Sequence, residues 1–172
     1  MGRVREARSR RPRRVHRWDL GGVPQPARLH QRICRRIANL LESTLPPEFE
    51  VETGWAWKPA ADEFVPDVMV YRRTDETVRY TGTPALAVEV LSTDRRDVLV
   101  VNTTKYAAVG LAHSWVVDPR DRGLDAYVLD EDATYRRVAQ LGLDDDEAPA
   151  SAELSFGLGT VLVDLRQLID EA

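Results

Sequence analysis

The hydrophobic pattern of the chain centres on residues 84–92, an apolar run that carries a single carboxylate, Glu89. A run of this length, opened by Pro84 and closed by Ser92, predicts a strand that is buried on both faces. An ionised carboxylate enters an apolar interior only with a cation, a metal or several hydrogen-bond donors beside it. Glu89 therefore needs a partner from elsewhere in the chain.

Two further segments can supply that partner. Residues 65–71 form a second apolar run, opened by one acid, Asp67. Residues 97–109 have helical periodicity, with one stripe formed by Val98, Val101, Lys105 and Ala108. The lysine is thereby predicted on the helix face that covers the sheet. Two acids on adjacent strands, with a lysine facing them, would form a compact site that suits a divalent metal and a phosphate.

The remaining pattern predicts one long helix and several short strands. Residues 27–44 should form a helix that Pro46-Pro47 ends, and its apolar stripe is Leu29, Ile33, Ile37, Leu40 and Leu41. His30 borders this stripe, and we interpret it as a packing or surface residue. Strands are expected at 49–57, 66–72, through Glu89 and at 114–118, with a hairpin at 124–129 and 134–140. Residues 161–168 fit a final strand or a helix turn.

The order of these elements predicts an α/β fold with a mixed β-sheet flanked by helices. The helix at 97–109 begins near Asp94 and Asp97, which suit an N-terminal cap, and Gly110 suits its C-terminal cap. This helix separates the Glu89 strand from the strand at 114–118. It therefore fits a crossover that joins two parallel neighbours.

Charge is distributed unevenly along the 172 residues. Of 24 basic and 28 acidic residues, eight Arg and one Glu lie within residues 1–18. We therefore expect a basic arm at 1–26, irregular or disordered, with nucleic-acid binding as the alternative role. The acidic remainder argues against tight, non-specific binding to duplex DNA. Residues 27–172 are long enough for a single domain with its own core.

The few cysteines and lysines, together with the lack of long apolar runs, narrow the kinds of site and of protein that the sequence allows. The single cysteine, Cys34, excludes an internal disulfide bond and a zinc site built from cysteines. No apolar run approaches the roughly 18 residues of a membrane span, and none follows the basic N-terminus as in a secretory signal. We therefore expect a cytoplasmic protein without membrane contact. Only Lys58 and Lys105 are lysines, which singles out the lysine on the helix stripe.

At this point the residues resemble those of nucleases. Pro66-Asp67, followed about twenty residues later by Glu89 in an apolar strand, resembles the PD-(D/E)XK nuclease pattern. The combination of residues 88–92, Asp97, Lys105-Tyr106, Gly110 and residues 114–119 resembles the Uma family of restriction endonucleases. This joint spacing is more specific than the two-residue Pro-Asp motif. The resemblance covers about residues 27–141.

The resemblance implies a restriction-endonuclease-like core and a metal-dependent site that hydrolyses phosphodiester bonds in DNA. It implies Asp67 and Glu89 as ligands of Mg²⁺ or Mn²⁺, with the backbone carbonyl of Val90 as a third oxygen. In the broad superfamily the lysine follows the glutamate by two residues, where this chain has Leu91. In the Uma family the lysine lies on the following helix, at the position of Lys105, where it would stabilise charge on the phosphorane or orient the water.

A second function stays open beside the nuclease. Uma members usually begin with a hairpin that carries a Tyr-Glu-Leu-x-Asp-Gly-Glu type segment, whereas residues 15–22 here read Val-His-Arg-Trp-Asp-Leu-Gly-Gly. The chain could therefore be a nuclease-fold binding or oligomeric module without turnover. Asp67 could cap a turn, Glu89 could pair with Lys105 without a metal, and Lys105 could extend to water.

A homo-oligomer, most simply a two-fold dimer, is also expected. The family resemblance is one reason. The other is the presence of large apolar residues, Trp55 and Trp57, near predicted sheet edges or turns.

Overall fold

A computed structural model describes residues 28–92 and 103–170 of the chain. The helices are α1 (Arg28–Glu42), α2 (residues 103–108 of the described part) and α3 (Leu165–Ile169). The strands are β1 (Phe49–Glu52), β2 (Val68–Arg72), β3 (Leu86–Val90), β4 (His113–Asp118), β5 (Gly123–Leu129), β6 (Tyr135–Gly142), β7 (Ser151–Ser155) and β8 (Thr160–Asp164). The predicted arm at 1–26 lies outside the described residues, as do Asp94, Asp97, Val98 and Val101.

One mixed sheet of six strands holds the molecule together, in the order β1-β2-β3-β4-β5-β6. Neighbouring strands are antiparallel except β3 and β4, which run parallel with Glu89 opposite Val116. A parallel pair needs a crossover connection, and α2 lies in the connection between these two strands. The parallel neighbours and the helix between them are as the sequence predicts. β7 and β8 form a separate antiparallel hairpin.

The two faces of the sheet are covered by different helices, because successive residues of a strand point to opposite faces. On one face, Val68 and Val88 pack with the apolar stripe of α1, in which Ile33 and Ile37 are buried. The other face carries a cluster rich in aromatic residues, which contains Trp57, Phe64, Met69, Tyr71, Tyr80, Ala87, Tyr106 and Leu111. Tyr106 belongs to α2. The mixed α/β sheet flanked by helices is thus confirmed.

Three details differ from the sequence-based expectation. β1 ends at Glu52, and Trp57 is instead fully buried in the aromatic cluster of its own chain. This burial removes Trp57 as a reason to expect a dimer interface. Residues 161–168 were expected to form a strand or a helix turn, and they form both, since β8 runs directly into α3. β7 is absent from the predicted elements.

The turn that ends α2 closes at Gly110, as predicted. The backbone N–H of Gly110 donates to the carbonyl of Ala107, and that of Leu111 donates to the carbonyl of Tyr106, each at 3.1 Å. Gly110 has a φ of 76°, in the left-handed region that glycine tolerates best.

Candidate functional site

Asp67 lies one residue before β2 and joins three elements. Its Oδ2 accepts a hydrogen bond from the backbone N–H of Val90 at 2.8 Å, and it lies 3.2 Å from Nε2 of His30 on α1. The register that sets Val68 opposite Val88 continues by one step to set Asp67 opposite Glu89. The carboxylate therefore connects the start of β2 with the end of β3 and with α1.

Glu89 is buried, with 8% of its surface exposed, and it points to the aromatic cluster on the α2 side. The hydroxyl of Tyr106 donates to Oε1 of Glu89 at 2.6 Å. Burial raises the pKa of Tyr106, and the charge of Glu89 raises it further, so the hydroxyl stays protonated and remains a donor. A hydrogen bond of this length to a carboxylate is a strong one. Tyr106 is thus one of the partners that the buried Glu89 requires.

Lys105 does not face the two acids, so the orientation predicted from the helix stripe is wrong. Its Nζ lies 3.3 Å from Oδ1 of Asp62, and the two side chains are 45% and 56% exposed, respectively. Tyr106 occupies the inward position of α2, while Ala108 of the predicted stripe is exposed. Neighbouring helix residues are rotated by about 100°, so the burial of Tyr106 turns Lys105 away from the sheet.

His30 and Cys34 lie one turn apart on α1, and both are buried. Sγ of Cys34 is 3.6 Å from Nδ1 of His30, whereas Asp67 contacts Nε2 of the same ring. A carboxylate only accepts hydrogen bonds, so Nε2 of a neutral ring carries the proton and Nδ1 accepts from the Cys34 thiol. The imidazole thereby bridges the thiol and the carboxylate.

The environment of Cys34 disfavours a role as a nucleophile. Burial raises the pKa of the Cys34 thiol to about 12, and the negative charge of Asp67 acts in the same direction. A thiol with this pKa is protonated at neutral pH, whereas the reactive form is the thiolate. The three side chains are therefore not an activated cysteine with its base.

A cleft of 550 Å³ opens beside this group. Its walls come from α1 and from residues 51–54, and His30, Cys34 and Asp67 line it as well. Arg35, which is exposed, brings a guanidinium to the same cleft. Water or an anionic group can therefore reach the donor atoms from this side.

The backbone carbonyl of Val90 is directed to the side on which Asp67 lies. The N–H of Leu91 donates to the carbonyl of Val117 on β4 at 2.8 Å. In a trans peptide the preceding C=O points the opposite way, so the Val90 carbonyl points away from β4 and towards the β2 side. Two carboxylates and a carbonyl are oxygen donors of the kind that Mg²⁺ and Mn²⁺ prefer. The chemistry of this donor set fits such an ion, while Asp67 contacts His30 of α1 and Glu89 contacts Tyr106 of α2.

A second set of possible ligands is more compact. Within residues 28–92 and 103–170, one ligand atom each of His30, Cys34 and Asp67 lie within 4.8 Å of one another. The sequence reading missed this set, because it assigned His30 to packing. The available signal was the four-residue spacing of His30 and Cys34, which places both on one helix face.

No helix in the described part of the chain is long and apolar enough to cross a membrane.

Comparison with known proteins places the chain in a family. The family model Uma2, described as "Putative restriction endonuclease", matches residues 20–162. The chain is also similar to the crystal structure of a "putative nuclease belonging to DUF820" from Anabaena variabilis ATCC 29413, with a TM-score of 0.66 and 15% identity, over 85% of this chain and 83% of that one. At this identity the similarity concerns the fold. No curated protein matches the chain. Because the family model spans most of the sequence, the chain belongs to the Uma2 family, described as "Putative restriction endonuclease".

Proposed function

We propose that this protein is a metal-dependent endonuclease that hydrolyses phosphodiester bonds in DNA with Mg²⁺ or Mn²⁺. The observation that carries the proposal is the placement of Asp67 and Glu89 opposite each other at adjoining strand ends, with the Val90 carbonyl directed to the same side. Membership of the Uma2 family and the nuclease-like fold support it.

In this proposal Asp67, Glu89 and the carbonyl of Val90 hold the ion. When bound, the ion supplies polarisation of a phosphoryl oxygen and a water of lowered pKa. The protein's own part is to hold the ligands in position. The N–H of Val90 orients Asp67, and the hydroxyl of Tyr106 orients Glu89. Outer hydrogen bonds of this kind fix ligand geometry and contribute to metal affinity.

Lys105 is the proposed cation that stabilises negative charge on the reacting phosphate. Its observed partner is the exposed Asp62, and exposed ion pairs contribute only about 0–1 kcal/mol. A phosphate in the site could therefore draw the flexible ammonium away from Asp62 at little cost. The role requires this side-chain movement, which makes it separable from the roles of the two acids.

Plasmid cleavage in Mg²⁺, Mn²⁺ and EDTA tests the proposal. We expect the wild type to cut supercoiled DNA only when a metal is present. Glu89→Gln keeps the side-chain volume and an oxygen that accepts from Tyr106, but it removes the charge that a hard cation requires. Cleavage should fall by about 10³-fold, which corresponds to about 4 kcal/mol of transition-state stabilisation.

Glu153→Gln is the matched control. Glu153 is exposed on β7, so this variant makes the same chemical change away from the site. This variant should cleave like the wild type. A folded wild type that cleaves DNA with neither metal contradicts the proposal. Circular dichroism and melting of both variants establish that lost cleavage is not lost folding.

The alternative is a nuclease-fold module that binds a partner or oligomerises without turnover. The position of Lys105 on Asp62, rather than on the acidic pair, favours this reading. Titration calorimetry with Mn²⁺ separates the two: the enzyme should bind the ion and lose that binding in Asp67→Asn, whereas the module should bind none.

We also propose a homodimer in the cytoplasm. The family resemblance is now its main support, since Trp57 is buried within the chain. Sedimentation that shows only monomer at micromolar concentration would exclude the dimer.

A further inference from the structure

His30, Cys34 and Asp67 bring three different donor types together below the surface. His30 and Cys34 are 9% and 7% exposed. The imidazole lies 3.6 Å from the sulfur and 3.2 Å from the carboxylate, and one ligand atom from each residue fits within 4.8 Å. Exposed acids often cluster by chance, but a nitrogen and a sulfur that are buried beside a partly buried carboxylate match the ligands of borderline transition metals.

The spacing of the three ligand atoms is close to that around a tetrahedral ion. Bonds of zinc to nitrogen, oxygen and sulfur imply separations of about 3.3 Å between nitrogen and oxygen ligands and about 3.6 Å between nitrogen and sulfur. The two observed separations are 3.2 Å and 3.6 Å. They involve different nitrogens of His30, so one separation lengthens when a single nitrogen binds. With one ligand atom per residue, the three atoms lie within 4.8 Å of one another, so they close by up to about 1.5 Å to reach tetrahedral separations.

The scaffold holds these ligands before any ion arrives. His30 and Cys34 project from one face of a helix that packs on the sheet through Ile33 and Ile37. Asp67 is also held by the N–H of Val90, a hydrogen bond to the sheet rather than to α1. Ligands on rigid elements, with a hydrogen bond behind one of them, are the arrangement that lowers the cost of ordering a metal site.

One side of the group is open. The 550 Å³ cleft is lined by all three residues, so a fourth position can be taken by water or by an anion. Three protein ligands with an open fourth position are typical of catalytic rather than structural zinc sites. The charge balance also fits, because Asp67 and Glu89 both act electrostatically on Cys34 and a divalent cation would offset them.

The geometry points to a binding site for Zn²⁺ or Co²⁺ formed by one ring nitrogen of His30, the thiolate of Cys34 and the carboxylate of Asp67. A single cysteine cannot build a zinc site from cysteines alone, but it can be one ligand in a mixed set. Imidazole and thiolate favour these ions over Mg²⁺. The site is distinct from the proposed nuclease ligands, with which it shares Asp67 alone, and it does not depend on DNA cleavage.

Cobalt titration of the purified, reduced full chain tests the site, with Co²⁺ as the probe. A thiolate bound to Co²⁺ gives a charge-transfer band in the near ultraviolet. Because Cys34 is the single cysteine in the sequence, this band in the wild type identifies the ligand directly. We expect the band to saturate at one Co²⁺ per chain and to disappear when Zn²⁺ is added.

Three variants locate the ion. Cys34→Ser should abolish the band, and His30→Gln should weaken Co²⁺ binding at least tenfold. Glu89→Gln, which alters the proposed nuclease ligands, should keep the band. A wild type without the band overturns the site, and this result needs no variant to fold. A band that survives in His30→Gln but is lost in Glu89→Gln also overturns it, since the ion would then lie elsewhere.

Discussion

At the scale of single residues, Asp67 is the position on which most of the site depends. One carboxylate accepts from the backbone of β3, contacts His30 and lies opposite Glu89. An asparagine there would keep the shape but offer one oxygen instead of a charged pair of them. Both proposed metal sites use this residue, whereas Tyr106 and Cys34 each belong to one.

Lys105 gives the sharpest residue-scale prediction. Lys105→Met should change the free energy of unfolding by less than about 1 kcal/mol, because it breaks an exposed ion pair. Metal-dependent cleavage should fall by about 10²-fold, because removing one donor that stabilises transition-state charge has an effect of about this size. Urea unfolding and plasmid cleavage of the same preparation measure the two effects.

Asp62→Asn is the matched control for this prediction. It breaks the same ion pair but keeps the ammonium, so cleavage should equal or exceed that of the wild type. Should Lys105→Met cleave as fast as the wild type, Lys105 has no part in the reaction. The proposed roles of Asp67 and Glu89 would be unaffected by that result.

Sequence reasoning reached the two acids but not their partners. Glu89 could be singled out because a carboxylate in an apolar strand must be satisfied. The orientation of Lys105 was wrong because it was predicted from an apolar stripe that did not include Tyr106, the residue that α2 turns towards the sheet. His30 and Cys34 were missed for a different reason. Their role depends on where α1 crosses the start of β2, and no local pattern encodes that position.

At the scale of elements, the ends of strands and helices place the site. β2 and β3 are short, and at their ends some backbone groups are not used in hydrogen bonds between the strands. The N–H of Val90 is such a group, and Asp67 satisfies it. On the other face, the end of α2 sets the position of Tyr106, since the carbonyl of Tyr106 accepts from Leu111 in the closing turn.

Gly110→Ala should therefore destabilise the protein by about 1 kcal/mol. The cause is backbone strain alone, because φ is 76° and a Cβ at this position meets nothing within 4 Å. Gly110→Asn should cost less, since Asn tolerates the left-handed region better than Ala. Urea unfolding of the three proteins measures the order. Equal stability of the Ala variant and the wild type would show that the turn is not left-handed in solution.

The elements themselves were more predictable than the site. The parallel pair β3–β4, the hairpin β5–β6 and the glycine that ends α2 follow from apolar runs, turn residues and loop lengths. β7 was missed although Ala152 and Leu154 alternate with polar residues, as they do in a half-buried strand. The alternation is short and follows an acidic loop, so its partner β8 was needed to recognise it.

At the scale of the whole molecule, the β7–β8 hairpin completes the core on the α1 side of the sheet. Phe156 packs edge-on against Trp115 with ring centroids 6.2 Å apart. Gly157, with φ 82°, packs against the ring of His113. A Cβ at this position would lie 2.8 Å from Nε2 of His113. The hairpin thus covers His113, whose Nδ1 is buried and has no hydrogen-bond partner within the described residues.

This covering predicts that the stability of the fold depends on pH. Burial lowers the pKa of His113 from its ordinary value of 6.5. Between the lowered pKa and 6.5, the unfolded chain binds a proton that the folded chain does not, so protonation favours unfolding. The contribution of His113 is complete above pH 6.5 and is lost as the pH falls through that value, until the folded protein also takes up the proton.

His113→Gln should remove this dependence, because Gln has no charge to gain. Urea unfolding at a series of pH values from 7.5 down to 5 measures the free energy of unfolding of both proteins. Other groups titrate in both, so the informative quantity is the difference between the two curves. That difference should be constant above pH 6.5 and should shift in favour of the variant below it. Parallel curves across the whole range would mean that His113 takes up its proton equally well in the folded and unfolded chain, and that the hairpin does not exclude water from it.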